Sequence, residues 1–363
     1  VPNLAELSDF VALNIGAFER GKWDYIGLAQ LYPTLEVIGQ LVPRKQNQSN
    51  KDATIVYQTE TETSGHGAKP GDPVQPVNKS NALRRKVGMV KYVDSIGWTL
   101  DQDSLMGKTD EHIVKQIQMD LVDFDLHFWQ DLEHMMLRRP ASITPNDDDT
   151  MFGFTAWISD DADIADDTFE LYGGDDPYSG SGRPGGILKS AQPKYTNPVA
   201  KFSTISDDNF FEFLEQFLLQ RKLMGAVPNP RLLPDTPNDV IYTQLKVHTA
   251  VSRYLTASNE NIGMDSGRYR GQPTHKGIPF VVWHALGHPD SPVASADCEV
   301  YVIDWNSFKY SVHQDYDRKI EGPKDLPLVP STKYITSELW HQLTCDRPDR
   351  NLKMVSDTAS LQP

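Results

Sequence analysis

The chain has 363 residues, with 35 lysines and arginines against 50 aspartates and glutamates, for a formal net charge of −15. That length suffices for two or more modest domains with sizeable cores, and 39% hydrophobic with 23% charged residues is ordinary globular composition, which excludes a disordered chain. The acid excess argues against a dedicated nucleic-acid binder, which needs cationic surface to displace phosphate counterions.

Cys298 and Cys345 are too few for a disulfide scaffold or a cysteine-rich zinc module, and both are expected as reduced, at least partly buried thiols. Wholly apolar runs fall far below the ~20 residues that a bilayer-crossing helix needs, so no membrane partner is expected. No charged-then-apolar leader stands before Leu4–Phe10, which sets the expectation of a soluble intracellular product or one released by some route other than secretion.

Residues 1–50 read as an N-terminal arm. Leu4, Leu7, Phe10, Val11, Leu13 and Phe18 hold no sustained period, and Pro33 and Pro43 punctuate the stretch. Its apolar density is too low for it to fold alone, so it must lie on something larger. A strand follows at Ala53–Thr59, where Ile55 and Tyr57 alternate with Thr54, Val56 and Gln58. Ser64–Asn81 then holds Gly65, Gly67, Pro70, Gly71, Pro73 and Pro76, and β-type sequence resumes over Lys86–Leu100. Two strands joined by about seventeen Gly/Pro-rich residues make a long hairpin rather than a tight turn. Its tip reads either as a surface loop or as an arm that docks on a neighbouring subunit.

Thr109–Leu137 is the clearest helix. Thr109 suits the N-cap, Asp110 and Glu111 sit where the helix dipole favours negative charge, and Pro140 stops the run. Val114, Ile117, Leu121, Phe124, Phe128, Leu132 and Met135 recur at three- and four-residue spacing along one stripe. At 1.5 Å per residue it is roughly 43 Å long, enough to cross a whole domain. Ala141–Thr204 is irregular, acidic and glycine-rich.

From Ser206, a plausible cap, a second amphipathic helix runs to Met224 with Phe210, Phe213, Leu214, Phe217, Leu218 and Leu223 inward. Asn229–Asn238 is a proline-rich connector, Val240–Tyr242 a short strand, and a helix continues to about Leu255. Ile278–Trp283 is a continuous apolar strand. Glu299–Asp304 alternates inward Val300 and Val302 with Tyr301 and Ile303, and a turn at Trp305–Ser307 leads to Phe308–His313, together a hairpin. A last extended stretch runs through Tyr334–Cys345, with Lys353–Val355 beyond.

Candidate chemistry fails on physical grounds at each motif. Gly180, Gly182 and Gly185 satisfy G-x-G-x-x-G, but no strand precedes them and Pro184 obstructs the helix that must receive a pyrophosphate, so a flexible loop is expected. His284 and His288 lie four apart, yet Ala285, Leu286 and Gly287 between them supply no general-base glutamate. His127 and His134, seven apart on the long helix, span about 10 Å, too far for one ion. The paired aspartates at 147–149, 160–161, 166–167 and 175–176 form no twelve-residue calcium loop. No nucleophile elbow or P-loop lysine occurs. The expectation is a chain with no catalytic, cofactor-binding or metal residues and no cofactor.

The order of arm, Gly/Pro-rich hairpin, single long helix, mixed α/β unit and returning β segment resembles the major capsid proteins of tailed bacteriophages. The likeness is strongest in three places. Lys86–Leu100 leading into Thr109–Leu137 is similar to the return strand of that family's extended E-loop entering the spine helix of its peripheral P-domain. Phe152-Gly153-Phe154-Thr155-Ala156-Trp157, Gly185-Gly186-Ile187 and Lys194-Tyr195-Thr196-Asn197 resemble glycine-aromatic segments after the spine. Gly277-Ile278-Pro279-Phe280-Val281-Val282 and Val300-Tyr301-Val302-Ile303-Asp304 resemble the core strands of the axial A-domain, and Leu339–Leu343 with Arg347–Arg350 the closing P-domain strand.

The resemblance implies an α+β capsid fold in five segments: N-terminal arm 1–50, E-loop and flanking strands 51–107, P-domain with spine helix 108–205, A-domain 206–325, and a returning P-domain strand with the C-terminus 326–363. It implies a shell subunit that forms homo-oligomeric hexamers and pentamers around double-stranded DNA without sequence-specific binding, as part of a virion assembled in host cytoplasm. Scaffolding, portal and decoration or cement proteins are its implied partners. Lys69 and Lys79 fall in the proposed loop tip, but no cross-linking chemistry is assigned to them. Extended arms suit a shell because, at ~25 cal/mol per Å² of apolar burial, a few hundred Å² per arm gives several kcal/mol gross, repeated over every symmetric contact. Two alternatives stand beside this reading: an encapsulin-like compartment of the same fold, and a metal-dependent hydrolase using His284 and His288.

Overall fold

The computed structural model describes residues 36–41, 44–58, 82–99, 110–143, 150–161, 163–178, 180–223, 239–258, 273–286, 298–326 and 329–356. The first 35 residues of the arm, the hairpin tip at 64–81 with Lys69 and Lys79, Thr109, Asp147–Asp149, the connector at 229–238 and His288 lie outside the described residues.

Two sheets and one long helix organise the chain. The first sheet is built on β13 (Val329–Cys345), whose early half runs between β4 (Val90–Thr99) and β12 (Lys319–Leu326). Its later half pairs with β11 (Phe308–His313), which takes β1 (Lys45–Gln48) in parallel on its other side. The second sheet has seven strands in the order β5 (Thr168–Glu170), β6 (Val199–Lys201), β14 (Leu352–Val355), β10 (Val300–Asp304), β7 (Asp239–Thr243), β9 (Ile278–Val282) and β8 (Thr274–His275). A separate ribbon joins β2 (Asp52–Gln58) to β3 (Ala82–Gly88), with Asp52 opposite Gly88 and Gln58 opposite Ala82.

Sheet membership cuts across the five expected segments. β5 and β6 from the 108–205 stretch and β14 from the closing stretch lie in the seven-stranded sheet, while β11 and β12 from the 206–325 stretch pair with β13. The expected hairpin of residues 299–304 with 308–313 is therefore corrected: β10 and β11 belong to different sheets and do not pair. At the turn, Ser307 donates its N–H and its hydroxyl to the Asp304 carbonyl, at 2.9 and 2.6 Å, and Trp305 is fully buried. Burying that indole sends the chain across the core instead of back along the surface.

The expected alternation in β10 is also corrected, because all five residues are buried. Val300 and Val302 face one core with Phe210, Leu214 and Phe217, whereas Tyr301 and Ile303 face the other with Trp129, Phe154 and Trp283. A strand covered on both faces reads as a continuous apolar run, so its sequence carries no inside–outside signal.

The long helix spans Asp110–Met135, and Leu121, Phe124, Phe128, Leu132 and Met135 of the expected stripe are buried. A second line beside the stripe, Asp125, Trp129 and Glu133, is buried as well. Glu133 explains where the arm ends: its carboxylate accepts the N–H groups of Val37 and Ile38 at 3.0 and 2.9 Å. These open the short helix Glu36–Leu41, whose Val37, Ile38 and Leu41 are buried. A carboxylate at a helix N-terminus satisfies donors that have no intrahelical partner.

The helix expected from Ser206 begins differently. Ser206 makes no side-chain cap; its carbonyl accepts the Phe211 N–H at 3.1 Å, and Asp207–Phe211 forms a wide π-turn ahead of an α-helix at Glu212–Leu223. The wide turn places consecutive Phe210 and Phe211 in the same core, which a regular 3.6-residue turn would separate by about 100°.

Candidate functional site

The region with the most organised chemistry is the root of the β2–β3 ribbon, where the ribbon is fixed to the rest of the fold. Ala53, Ile55 and Tyr57 turn inward and Val56 outward, as the alternation predicts. The Tyr57 ring lies 4.9 Å from that of Tyr195, whose hydroxyl donates to the Cys345 carbonyl at 2.5 Å. Complete burial holds the Tyr195 phenol well above its ordinary pKa, so it serves as a hydrogen-bond donor. The Val56 N–H reaches the Asp346 carboxylate at 3.2 Å, Gln342 donates to the Gly88 carbonyl at 2.9 Å, and Met89 N–H to Lys51 at 2.8 Å. Three groups around Cys345 therefore clamp the ribbon where it leaves the sheet.

The turn carrying Gly180, Gly182 and Gly185 packs against this root. It is not the flexible loop expected. Gly182 has φ +78°, and a Cβ there would stand 2.3 Å from the Ile187 carbonyl oxygen, so only glycine closes the turn. Arg183 beside it is fully buried, donating from one terminal nitrogen to Ser159 Oγ at 3.0 Å and to Gly174 O and Asn197 Oδ1 at 3.2 Å each. Burial lowers the guanidinium pKa, and the Asp176 carboxylate 3.5 Å away opposes that shift. This turn binds its own chain; its donors are consumed by structure rather than left for a phosphate.

A second guanidinium fixes the long helix to the first sheet. Arg318 is fully buried, paired with Asp125, and sits 4.3 Å from the Phe128 ring centroid and 5.3 Å from that of Trp129. Burial raises the Asp125 pKa while Arg318 works against the rise. Tyr92 on β4 adds a bond from its hydroxyl to Asp131 at 2.9 Å. At the junction of the two sheets, fully buried Asp304 faces Arg221 at 3.0 Å and Arg350 at 3.5 Å. Such pairs are costly to break, because removing one partner strands a buried charge.

Sequence reasoning passed over these nodes. The traceable signal was Asp125, Trp129 and Glu133 at i, i+4 and i+8, a line adjoining an apolar stripe and hence half inside the fold.

His127 is exposed and His134 half-buried on the long helix; His284 is exposed in the turn after β9. Among the described residues no group of three or more His, Cys, Asp or Glu side chains is placed to hold a metal ion. Cys298 and Cys345 are free and buried, and burial pushes the Cys345 thiol well above its ordinary pKa, which makes it a poor nucleophile. No described helix is long and apolar enough to cross a membrane.

No protein-family model and no curated protein matches the sequence. Solved structures do match the fold. The Cyanophage A-1(L) capsid asymmetric unit superposes with TM-score 0.58 at 14% identity, over 89% of this chain and 92% of that one. The capsid of a native GTA particle gives 0.52 at 9%, over 90% and 91%, and a structure of Mycobacterium phage Bobi gives 0.52 at 10%, over 89% and 90%. The chain has the tailed-phage capsid-protein fold, nearly end to end, at a sequence distance where the likeness speaks for architecture alone.

Proposed function

We propose that this protein is a major capsid protein of a tailed bacteriophage, copies of which assemble as hexamers and pentamers into an icosahedral shell around double-stranded DNA. The observation that carries the reading is the two-way coverage: about nine-tenths of this chain aligns with about nine-tenths of a cyanophage capsid chain. The anchored ribbon root supports the same conclusion. The ribbon is clamped at its base through Tyr57, Val56 and Gly88, which suits the expectation that the tip at 64–81 docks on a neighbouring subunit.

In this reading the subunit acts in the virion after assembly in the host cytoplasm, with separate scaffolding, portal and decoration proteins as partners. The five segments expected from the sequence describe its order along the chain, while the two sheets each draw strands from more than one of them. The excess of acidic residues lets packed DNA fill the shell without adhering to it.

Electron microscopy of the expressed full chain tests the reading. Closed icosahedral particles are expected, and particles purified from lysed hosts should protect double-stranded DNA from nuclease. A shell that contains protein cargo instead would make it an encapsulin-like compartment, and a persistent monomer at all concentrations and ionic strengths would overturn the shell reading. Deleting residues 64–81 should leave a folded protein that assembles poorly; shell formation at the native level would remove the hairpin tip from the contact.

A further inference from the structure

Asp304, the last residue of β10, is the meeting point of three arginines from separate parts of the chain. Arg221, in the last turn of the helix Glu212–Leu223, faces its carboxylate at 3.0 Å, and Arg350 does so at 3.5 Å. Arg44, just ahead of β1, holds its guanidinium carbon 5.5 Å from the ring centroid of Trp305, the residue after Asp304. Asp239, opposite Asp304 where β7 pairs with β10, takes a second contact from Arg221.

These carboxylates do not use up the guanidinium donors. One Asp304 oxygen accepts the Asn306 N–H at 3.0 Å, and the other is shared by Arg221 and Arg350. Arg221 meets Asp239 and Asp304 through the same nitrogen, Nη2. Its Nε and Nη1 are buried with no acceptor among the described residues, on a side chain only 5% exposed. Arg44 spends Nη1 on the carbonyl and side-chain oxygens of Gln40, at 2.6 and 2.9 Å, and its buried Nη2 likewise meets no acceptor. No carboxylate among the described residues forms an ion pair with Arg44. Burial pulls its pKa down to about 10, with Tyr242 and Asp304 opposing the shift, so it stays charged at neutral pH. A buried cation with unsatisfied N–H groups is costly unless an anion completes it.

The donors define the chemistry that completes them. They belong to two planar guanidiniums, and a tetrahedral oxyanion offers enough acceptor oxygens to take charge-assisted bonds from both, which a halide does not. A phosphodiester within a duplex carries a sugar on either side and is too bulky for so enclosed a side chain. We infer that Arg44 and Arg221, beside Asp304, bind a small free oxyanion of the phosphate class. An anion held by both ties the segment leading into β1 to the helix Glu212–Leu223.

Inorganic phosphate is the probe, measured on the full chain by equilibrium dialysis and by thermal unfolding at constant ionic strength. One phosphate per chain is expected, with a melting temperature that rises with phosphate and then levels off as the site fills, while chloride gives no such rise. Arg44 is the less buried of the two arginines. Arg44→Gln should therefore weaken phosphate binding about tenfold or more and still melt like the native chain in phosphate-free buffer. Lys246→Gln, which removes an exposed cation beyond the other end of β7, should bind phosphate as the native chain does. Unchanged phosphate affinity in Arg44→Gln, or equal effects of phosphate and chloride on the native chain, would overturn the site. Displacement of phosphate by a short DNA duplex would overturn the assignment to a small free anion. The measurement needs no assembly, so its failure leaves the shell reading untouched.

Discussion

β10 turns Val300 and Val302 toward one core and Tyr301 and Ile303 toward another, and the two cores are assembled differently. The first is almost wholly apolar. It draws on residues 200–302 with Leu352 and Met354 added, and its phenylalanines pack on one another, with Phe210 5.0 Å from Phe202 and 5.2 Å from Phe211. The second gathers pieces from Val37 to Cys345, including the short arm helix, the ribbon root, the long helix and strands of both sheets. Around it lie the buried charges Asp125, Glu133, Arg183 and Arg318. A core built from neighbouring segments closes mainly by apolar burial, with Arg221 and Asp304 paired at its edge. A core that joins remote segments must also satisfy the backbone ends and polar groups that those segments bring with them.

Gly153 shows the second kind of constraint. Its N–H and that of Phe154 donate to Arg138 and Met136 carbonyls, at 2.9 and 2.6 Å, which satisfies the end of the long helix. A Cβ on Gly153 would stand 2.3 Å from the Met136 carbonyl oxygen. The approach brings Phe154 to within 4.9 Å of Phe308, 5.6 Å of Trp283 and 5.7 Å of Trp305, at the meeting point of both sheets.

The harshest disruption is Phe124→Asp on the long helix that feeds the second core, which buries an unpaired carboxylate at a position now 4% exposed. The expected loss is about 5 kcal/mol, enough to abolish cooperative thermal unfolding of a marginally stable chain. An unchanged melting temperature would place Phe124 outside the core.

Paired truncations sharpen the contrast between the cores. Phe154→Ala and Phe210→Ala should each cost about 3–5 kcal/mol, since both rings are fully buried. Their hydrogen-exchange patterns should differ. Phe210→Ala should speed exchange in β7, β9 and the two covering helices, whereas Phe154→Ala should speed it in the long helix, β11 and the seven-stranded sheet together. Identical patterns would mean that the two cores unfold as one unit.

The smallest effect is one of acidity. His341 on β13 is completely buried, hydrogen-bonded through Nδ1 to the Tyr310 hydroxyl at 3.1 Å, and burial lowers its pKa to about 3. The folded chain thus holds it neutral, while the unfolded chain takes up a proton below the ordinary value near 6.5. Its contribution to stability is full above that pH and falls as pH drops from about 6.5 toward 3, a loss of ~2 kcal/mol by pH 5. His341→Leu should flatten the urea midpoint between pH 6.5 and 5 relative to the native chain; an equally steep decline would assign the acid sensitivity to other groups.

Much of the architecture was legible in residue patterns. Ile55 and Tyr57 announced an inward-facing strand, and the stripe from Leu121 to Met135 a long helix packed on one side. Each signal is local: a period of two or of three to four residues reports which side of an element faces a core, whatever that core contains.

Other features depended on partners far along the chain. Nothing near Glu133 indicates that it caps a helix nearly a hundred residues earlier, and nothing near Arg183 indicates that it is fully buried. Strand pairing was misread at Trp305–Ser307 for the same reason. A turn between two apolar strands specifies a change of direction, but the choice between folding back and crossing to another sheet is made by where a buried indole finds its neighbours. Periodicity fixed the elements of this chain; satisfaction of buried charges and backbone ends, which is a property of segments brought together, decided how they are joined.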